Sequence, residues 1–205
     1  MRHVSLRGRI LDDGHGANRG VGLLIDVTLE KALEEQLIRM TVSDGLTGLR
    51  NRRGFDQTLR GEWRRCSQDG RPVSLVMLDV DRFKRFNDTY GHLVGDQALI
   101  AVGRALTRCA EGISIARYGG EEFALVLPAA DHVQATALGE RIVTTMRELR
   151  VRQAPDWPLT VSVGVATWTA QQGRSRASEL LERADQALYA AKRAGRNRAV
   201  TDSGH

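Results

Sequence analysis

Two glycines and two carboxylates stand together at Gly119-Gly120-Glu121-Glu122, between the strand-like runs Ile113 to Tyr118 and Phe123 to Leu127. A Gly-Gly step between such runs predicts a two-residue hairpin in which both glycines take positive φ. Adjacent carboxylates repel unless a proton or a cation sits between them. A turn without side chains, next to paired acids, suits a metal-bound phosphate that approaches the backbone closely. A second acidic pair, Asp79 and Asp81, closes the apolar run Val73 to Val80. Side chains two apart on a strand share a face, so this pair could share a site. The other reading of Asp81 is a cap for the helical turn that follows. If the turn Arg82 to Asp88 lies beside the hairpin, Asp79, Glu121 and Glu122 converge on an all-oxygen site suited to Mg²⁺. Of 30 basic residues only Lys31, Lys84 and Lys192 are lysine. Against such a bias, a retained lysine points to a need for a compact ammonium rather than a guanidinium fork.

The elements that must position these groups follow from periodicity. Arg52 to Ser67 reads as a helix with Phe55, Leu59, Trp63 and Cys66 as its apolar stripe. Val73 to Val80 is a strand buried on both faces. Asp96 to Ala110 is a helix with Leu99, Val102 and Leu106 inward, and the hairpin comes next. Asp131 to Leu149 is helical, Leu159 to Trp168 a strand, Ser178 to Ala194 a helix, and Arg198 to Thr201 a closing strand. Ahead of this, His3 to Ile10 and Val21 to Val27 read as strands around the Gly-rich loop Asp12 to Gly20. Residues 1–28 are too few to own a core. Leu29 to Met40 reads as a helix capped by Thr28, with Leu33, Leu37 and Met40 at coiled-coil spacing. It is either a surface helix of its own domain or a connector that pairs two chains. The expected organisation is therefore 1–28, a linker 29–42 and a main domain 43–205.

Composition narrows the class. The chain has 205 residues, 41% hydrophobic and 27% charged, which is ordinary for one soluble domain with a small appendage. No run of eighteen apolar residues predicts a membrane span, and no apolar block resembles a signal peptide. Cys66 and Cys109 suggest neither a disulfide framework nor a zinc site, and a reducing cytoplasm is the expected compartment. The net charge of +5 invites a polyanionic partner. Scattered arginines and 5% aromatics argue against nucleic acid and in favour of a nucleotide.

Several signatures then fall in one order. Asp44-Gly45-Leu46-Thr47-Gly48-Leu49-Arg50-Asn51-Arg52-Arg53-Gly54-Phe55, Asp79-Val80-Asp81-Arg82-Phe83-Lys84, Asn87-Asp88-Thr89-Tyr90-Gly91-His92, Gly95-Asp96, Gly119 to Phe123, and Ala191 to Asn197 together resemble the GGDEF family of diguanylate cyclases, over about residues 42–200. The run Gly22 to Thr28, followed by a charged helix, resembles the closing strand of a PAS sensor domain. The family resemblance implies a ferredoxin-like α+β domain of the nucleotidyl-cyclase type, with a mainly antiparallel sheet flanked by helices. It implies condensation of two GTP into cyclic di-GMP and two pyrophosphates across a homodimer, with Mg²⁺ or Mn²⁺ as cofactor.

The resemblance also distributes roles. Asp79, Glu122 and the Val80 carbonyl would be metal ligands, and Glu121 the general base, also near the metal. Lys84 would contact phosphate, as would the amides of Arg82 and Phe83. Gly119 and Gly120 would let the nucleotide approach. Lys192 and Arg196, four apart and expected on one helix face, would hold the triphosphate. Asn87 and Asp96 would select guanine, because a carboxylate accepts from both N1–H and the 2-amino group. His92 would border sugar or base, or be structural. The family's inhibitory product motif, Arg-x-x-Asp, is absent: its positions hold Ala110 and Ile113, with Arg108 and Glu111 displaced by two. The alternative function is a catalytically inactive module that binds GTP or cyclic di-GMP.

Overall fold

The computed structural model describes residues 4–12, 18–29, 41–173 and 175–202. The chain divides into two compact units, Met1–Thr41 and Val42–His205. In the first, β1 (Val4–Asp12) and β2 (Asn18–Asp26) pair antiparallel from Val4↔Asp26 to Asp12↔Asn18. Both strands extend further into the expected loop than their apolar runs indicated. The expected helix Leu29 to Met40 lies almost wholly outside the described residues.

The second unit is an α+β domain. In chain order it contains α1 (Arg52–Asp69), β3 (Val73–Val80), α2 (Phe83–Tyr90), α3 (His92–Cys109), β4 (Ser114–Arg117), β5 (Glu122–Pro128), α4 (His132–Glu148), β6 (Val161–Trp168), α5 (Ala177–Arg193) and β7 (Arg198–Thr201). The sheet order is β4-β5-β3-β6-β7, antiparallel except for the parallel pair β6–β7. No helix of the described residues is long and apolar enough to cross a membrane.

Strand β3 is central, and its alternation divides the core. Val76, Leu78 and Val80 pack with α3 and α4, through residues such as Leu99, Leu106, Leu138 and Ile142. Leu75 and Met77 pack on the other face with Phe55 and Leu59 of α1 and Leu180, Ala184 and Leu188 of α5. Removing these side chains from water is the main stabilising term, at about 25 cal/mol per Å² of apolar surface. On the α5 face the fit is close: a Cβ at Gly164 would lie 2.2 Å from both the Ala184 carbonyl and the Leu188 amide nitrogen. Only glycine allows β6 to approach that helix backbone.

Local signals account for the helix ends. Asn51 caps α1 by accepting from the Gly54 N–H at 3.0 Å, and Gly70 ends the helix in the left-handed conformation with φ of 67°. Asp131 and Gln134 form a reciprocal capping box on α4. One segment differs from expectation. Arg82 to Asp88 is not an open turn; Phe83–Tyr90 is a helix, and α3 starts at His92 rather than Asp96. Gly91, with φ of 81°, separates the two helices.

Candidate active site

Strand register brings the two acidic motifs together. Asp79 lies directly opposite Glu122 in the β3–β5 ladder, and the Val80 N–H donates to the Glu121 carbonyl at 3.2 Å. Cross-strand partners share a face, so both carboxylates project toward the α5 side of the sheet. There Lys192, in the last turn of α5, places its Nζ 2.8 Å from Asp79 Oδ2. Burial pushes the Asp79 carboxyl above its ordinary value; Lys192 opposes the rise, and the charges of Glu121 and Glu122 add to it. Among the described residues no three carboxylates, imidazoles or thiolates already form a cage for a cation. The donor types nevertheless suit a hard divalent ion: the carboxylates of Asp79 and Glu122, with Glu121 adjacent and the Val80 carbonyl next along the chain, are all oxygen.

The hairpin is built differently from the expected two-residue turn. Neither Gly119 nor Gly120 is among the positive-φ glycines. Instead the loop is longer, closed by the Tyr118 and Gly119 N–H groups donating to the Glu122 carbonyl at 2.8 and 3.3 Å. Gly119 serves space rather than torsion. A Cβ on Gly119 would sit 2.7 Å from Glu122 Oε2, whereas a Cβ on Gly120 would meet nothing within 4 Å. Arg117 braces the loop, donating from Nε to the Gly120 carbonyl at 2.9 Å while its Nη1 lies 3.2 Å from Asp44 Oδ2. Asp44 also accepts from the Thr47 amide and hydroxyl at 2.8 and 2.7 Å.

Asp81 does not cap α2. It keeps to the face of Asp79, reaching Ser162, the partner of Asp79 across β3–β6, but its carboxylate is turned to β6 and to the turn after α5; the chain then bends through Arg82, whose φ is 57°. Asp81 is buried and accepts from Ser162 Oγ, Thr160 Oγ1 and the Asn197 N–H at 2.7, 2.8 and 3.0 Å. Arg82 gives α2 no side-chain cap. The first-turn amides of a helix have no intrahelical partner and carry the positive end of its dipole. Phe83 is buried and Lys84 exposed at this end.

At the α2–α3 corner, Gly95 lies against Asn87: a Cβ on Gly95 would be 1.9 Å from Asn87 Oδ1. That Oδ1 is buried without a hydrogen-bond partner. Asp96, one residue on from Gly95, is exposed, as is His92. Arg196 is not on the same helix face as Lys192. Helix α5 ends at Arg193, and Arg196 lies in the turn beyond it with φ of 65°. Ala110 is buried at the end of α3 and Ile113 is half-buried against the core. Arg147 is the supporting residue that motif reading did not single out; Asp44, Asp81 and Arg117 lie within or beside the motifs, but their partners are distant in sequence.

Known proteins resemble this chain over most of its length. The profile of the family described as "Diguanylate cyclase, GGDEF domain" matches residues 41–198. The probable diguanylate cyclase DgcC of Escherichia coli is 41% identical over 160 residues, covering 78% of this chain and 43% of DgcC. The diguanylate cyclase VdcA of Vibrio cholerae is 39% identical over 198 residues, covering 92% of this chain and 56% of VdcA. The chain thus spans about half the length of the curated relatives it matches. The coiled coil and GGDEF domain of DgcB from Caulobacter crescentus, solved in complex with cyclic di-GMP, superposes with a TM-score of 0.76 at 36% identity, covering 84% of this chain and 93% of that one. The diguanylate cyclase SiaD from Pseudomonas aeruginosa, solved with its activator SiaC, gives a TM-score of 0.75 at 39% identity, covering 84% and 66%. The chain belongs to the diguanylate cyclase GGDEF-domain family.

Proposed function

We propose that this chain is the catalytic part of a diguanylate cyclase, joining two GTP molecules into cyclic di-GMP with release of two pyrophosphates. The observation that carries this reading is the pairing of Asp79 with Glu122 beside the open Gly119–Gly120 loop. Each 3′-hydroxyl forms a bond to the other nucleotide's α-phosphorus, and the bond from that phosphorus to the pyrophosphate oxygen breaks.

Asp79, Glu122 and the Val80 carbonyl would hold Mg²⁺ or Mn²⁺, with Glu121 adjacent. When bound, the ion polarises the phosphate and makes the hydroxyl easier to deprotonate. Glu121 takes the hydroxyl proton. Lys84, Lys192 and Arg196 receive charge on the departing pyrophosphate, together with the amides at the start of α2. Asn87 and Asp96 select guanine, Asp96 from an exposed position at the α2–α3 corner. His92 borders the nucleoside.

One such site holds one GTP, so two copies of the chain must face each other. A homodimer is the catalytic unit, and rate per chain rises with protein concentration in the dilute regime. Cytoplasmic location is part of the same reading, since GTP is the substrate. Residues 1–28 would be the end of a PAS-like sensor domain, a reading supported by the hairpin of β1 and β2 and by the exposure of Leu6, Leu23 and Leu24. Chromatography of a reaction containing protein, GTP and Mg²⁺ tests the reading, with cyclic di-GMP as the expected product.

A further inference from the structure

The turn after α5 is held more firmly than its exposure would suggest. Gly195, Arg196 and Asn197 follow one another with φ of 110°, 65° and 50°. Two consecutive L-residues in the left-handed region persist only when surrounding contacts hold them there. These contacts come from both sides. From the sheet, Asp81 Oδ2 accepts the Asn197 N–H at 3.0 Å. From α4, Arg147 donates through Nε to Asn197 Oδ1 at 2.8 Å and through Nη2 to the Asn197 carbonyl at 2.9 Å. The Ala191 carbonyl accepts the Arg196 N–H at 3.0 Å, which ties the turn to the end of α5.

Asp81 is only 5% exposed, and Thr160 and Ser162 fix its orientation. A carboxylate is tolerated at such depth when donors replace its hydration. The donors here come from β6, the residues just before it, and the turn. Arg196 and Asn197 line a cleft of about 430 Å³ together with Arg82, Arg85, Trp157 and Thr160. The turn therefore sets where the Arg196 guanidinium is presented, and it anchors the last turn of α5, which carries Lys192.

We infer that Asp81 and Arg147 are positioning residues: a two-sided clamp on Asn197 that aims Arg196 at the triphosphate. The inference rests on the cyclase reading, which assigns the triphosphate to Arg196 together with Lys192. Asp81 and Arg147 touch the turn and act on the substrate through it. The clamp also gives the second acid of the Asp79-Val80-Asp81 motif a role separate from that of the first. Asp79 faces the reacting groups, and Asp81 holds the turn that presents Arg196.

Coupling between the clamp and Arg196 distinguishes positioning from general stability. Calorimetry with a non-hydrolysable GTP analogue and Mg²⁺, on the full chain, reads it directly. Arg147→Met on the exposed side and Asp81→Ala on the buried side should each weaken binding about tenfold, as expected for a misplaced charged hydrogen bond. Asp81→Asn can still accept from the Asn197 N–H while its amide group donates to Ser162, and should stay within about threefold of the parent. In an Arg196→Ala background, Arg147→Met and Asp81→Ala should weaken binding no further. Penalties that add in full to Arg196→Ala would make the clamp merely structural and overturn the inference. So would Arg147→Met binding like the parent, and that variant decides the matter alone if Asp81→Ala does not fold. A parent chain that fails to bind the analogue overturns the cyclase reading itself, and the inference with it.

Discussion

Asp79 and Glu122 are direct partners across β3 and β5, and Lys192 Nζ stands 2.8 Å from the first of them. Two acids from motifs 43 positions apart thus occupy one face, with an ammonium already against Asp79. In the proposed cyclase that ammonium belongs with phosphate and the acids with a divalent ion. The pairing depends on strand register, because a one-residue slip would send either carboxylate to the opposite face of the sheet.

The two hairpin glycines should fail differently. Gly119→Ala places a Cβ 2.7 Å from Glu122 Oε2 and must displace that carboxylate. Gly120→Ala meets nothing within 4 Å and needs no positive φ, so the fold accepts it. Both should lower turnover, by about 100-fold for a displaced group or an obstructed approach. The Gly120 variant should keep the parent melting temperature. Thermal melts beside steady-state rates check this, and a fully active Gly120→Ala would remove the close-approach role of that glycine.

Asp44 gives a pH dependence with a definite sign. Burial alone would raise its carboxyl, but the Thr47 hydrogen bonds and Arg117 outweigh this and hold it below the ordinary value of 3.8. A depressed native value contributes stability above 3.8 that is lost as pH falls through the native value. Asp44→Asn should therefore melt about 2–4 °C lower at pH 7, and the difference should shrink in acid. Because Arg117 also holds the Gly120 carbonyl, the variant should lose turnover as well. Melts at several pH values would contradict this if the gap stayed constant.

Gly164 is a stability position with no role in the proposed chemistry. Its Cβ would collide with the backbone of α5, where a side-chain rotation cannot relieve the clash. Gly164→Ala should cost about 3 kcal/mol or more, lowering the melting temperature by about 6 °C or more. Calorimetric unfolding measures it.

How much of this was legible in sequence depended on the reach of each signal. The bounds of β3 and the apolar stripe of α1 followed from periodicity within a single segment. Helix α2 is poorly marked in the sequence, since Arg82 is no capping residue and Gly91 interrupts the run, although Phe83, Phe86 and Tyr90 have helical spacing. The positive φ expected of the hairpin glycines is not found, and the room that Glu122 needs beside Gly119 is a cross-loop contact that the sequence does not display. Asp81 could not be placed, since its partners Thr160, Ser162 and Asn197 are 79 to 116 residues away and meet it only in the tertiary fold. Lys192 and Arg196 read as a helical pair until the structure ended α5 at Arg193.

Product feedback should be absent at the family's inhibitory position. Ala110 is buried and Ile113 packs on the core, so neither offers a charge to a cyclic dinucleotide. Cyclic di-GMP at low micromolar concentration should leave the initial rate unchanged. Inhibition in that range, removed by Arg108→Ala, would show that the displaced Arg108 and Glu111 pair had taken over the role.

The most direct test of the cyclase reading is product formation by the parent chain and Glu122→Gln side by side, at high protein concentration with GTP and Mg²⁺. The expected result is cyclic di-GMP and pyrophosphate from the parent, and at least about 100-fold less from the variant. Equal product from both would contradict the role of the Asp79–Glu122 pair. No product from a parent chain that still binds GTP would contradict the cyclase itself and leave a binding module in its place.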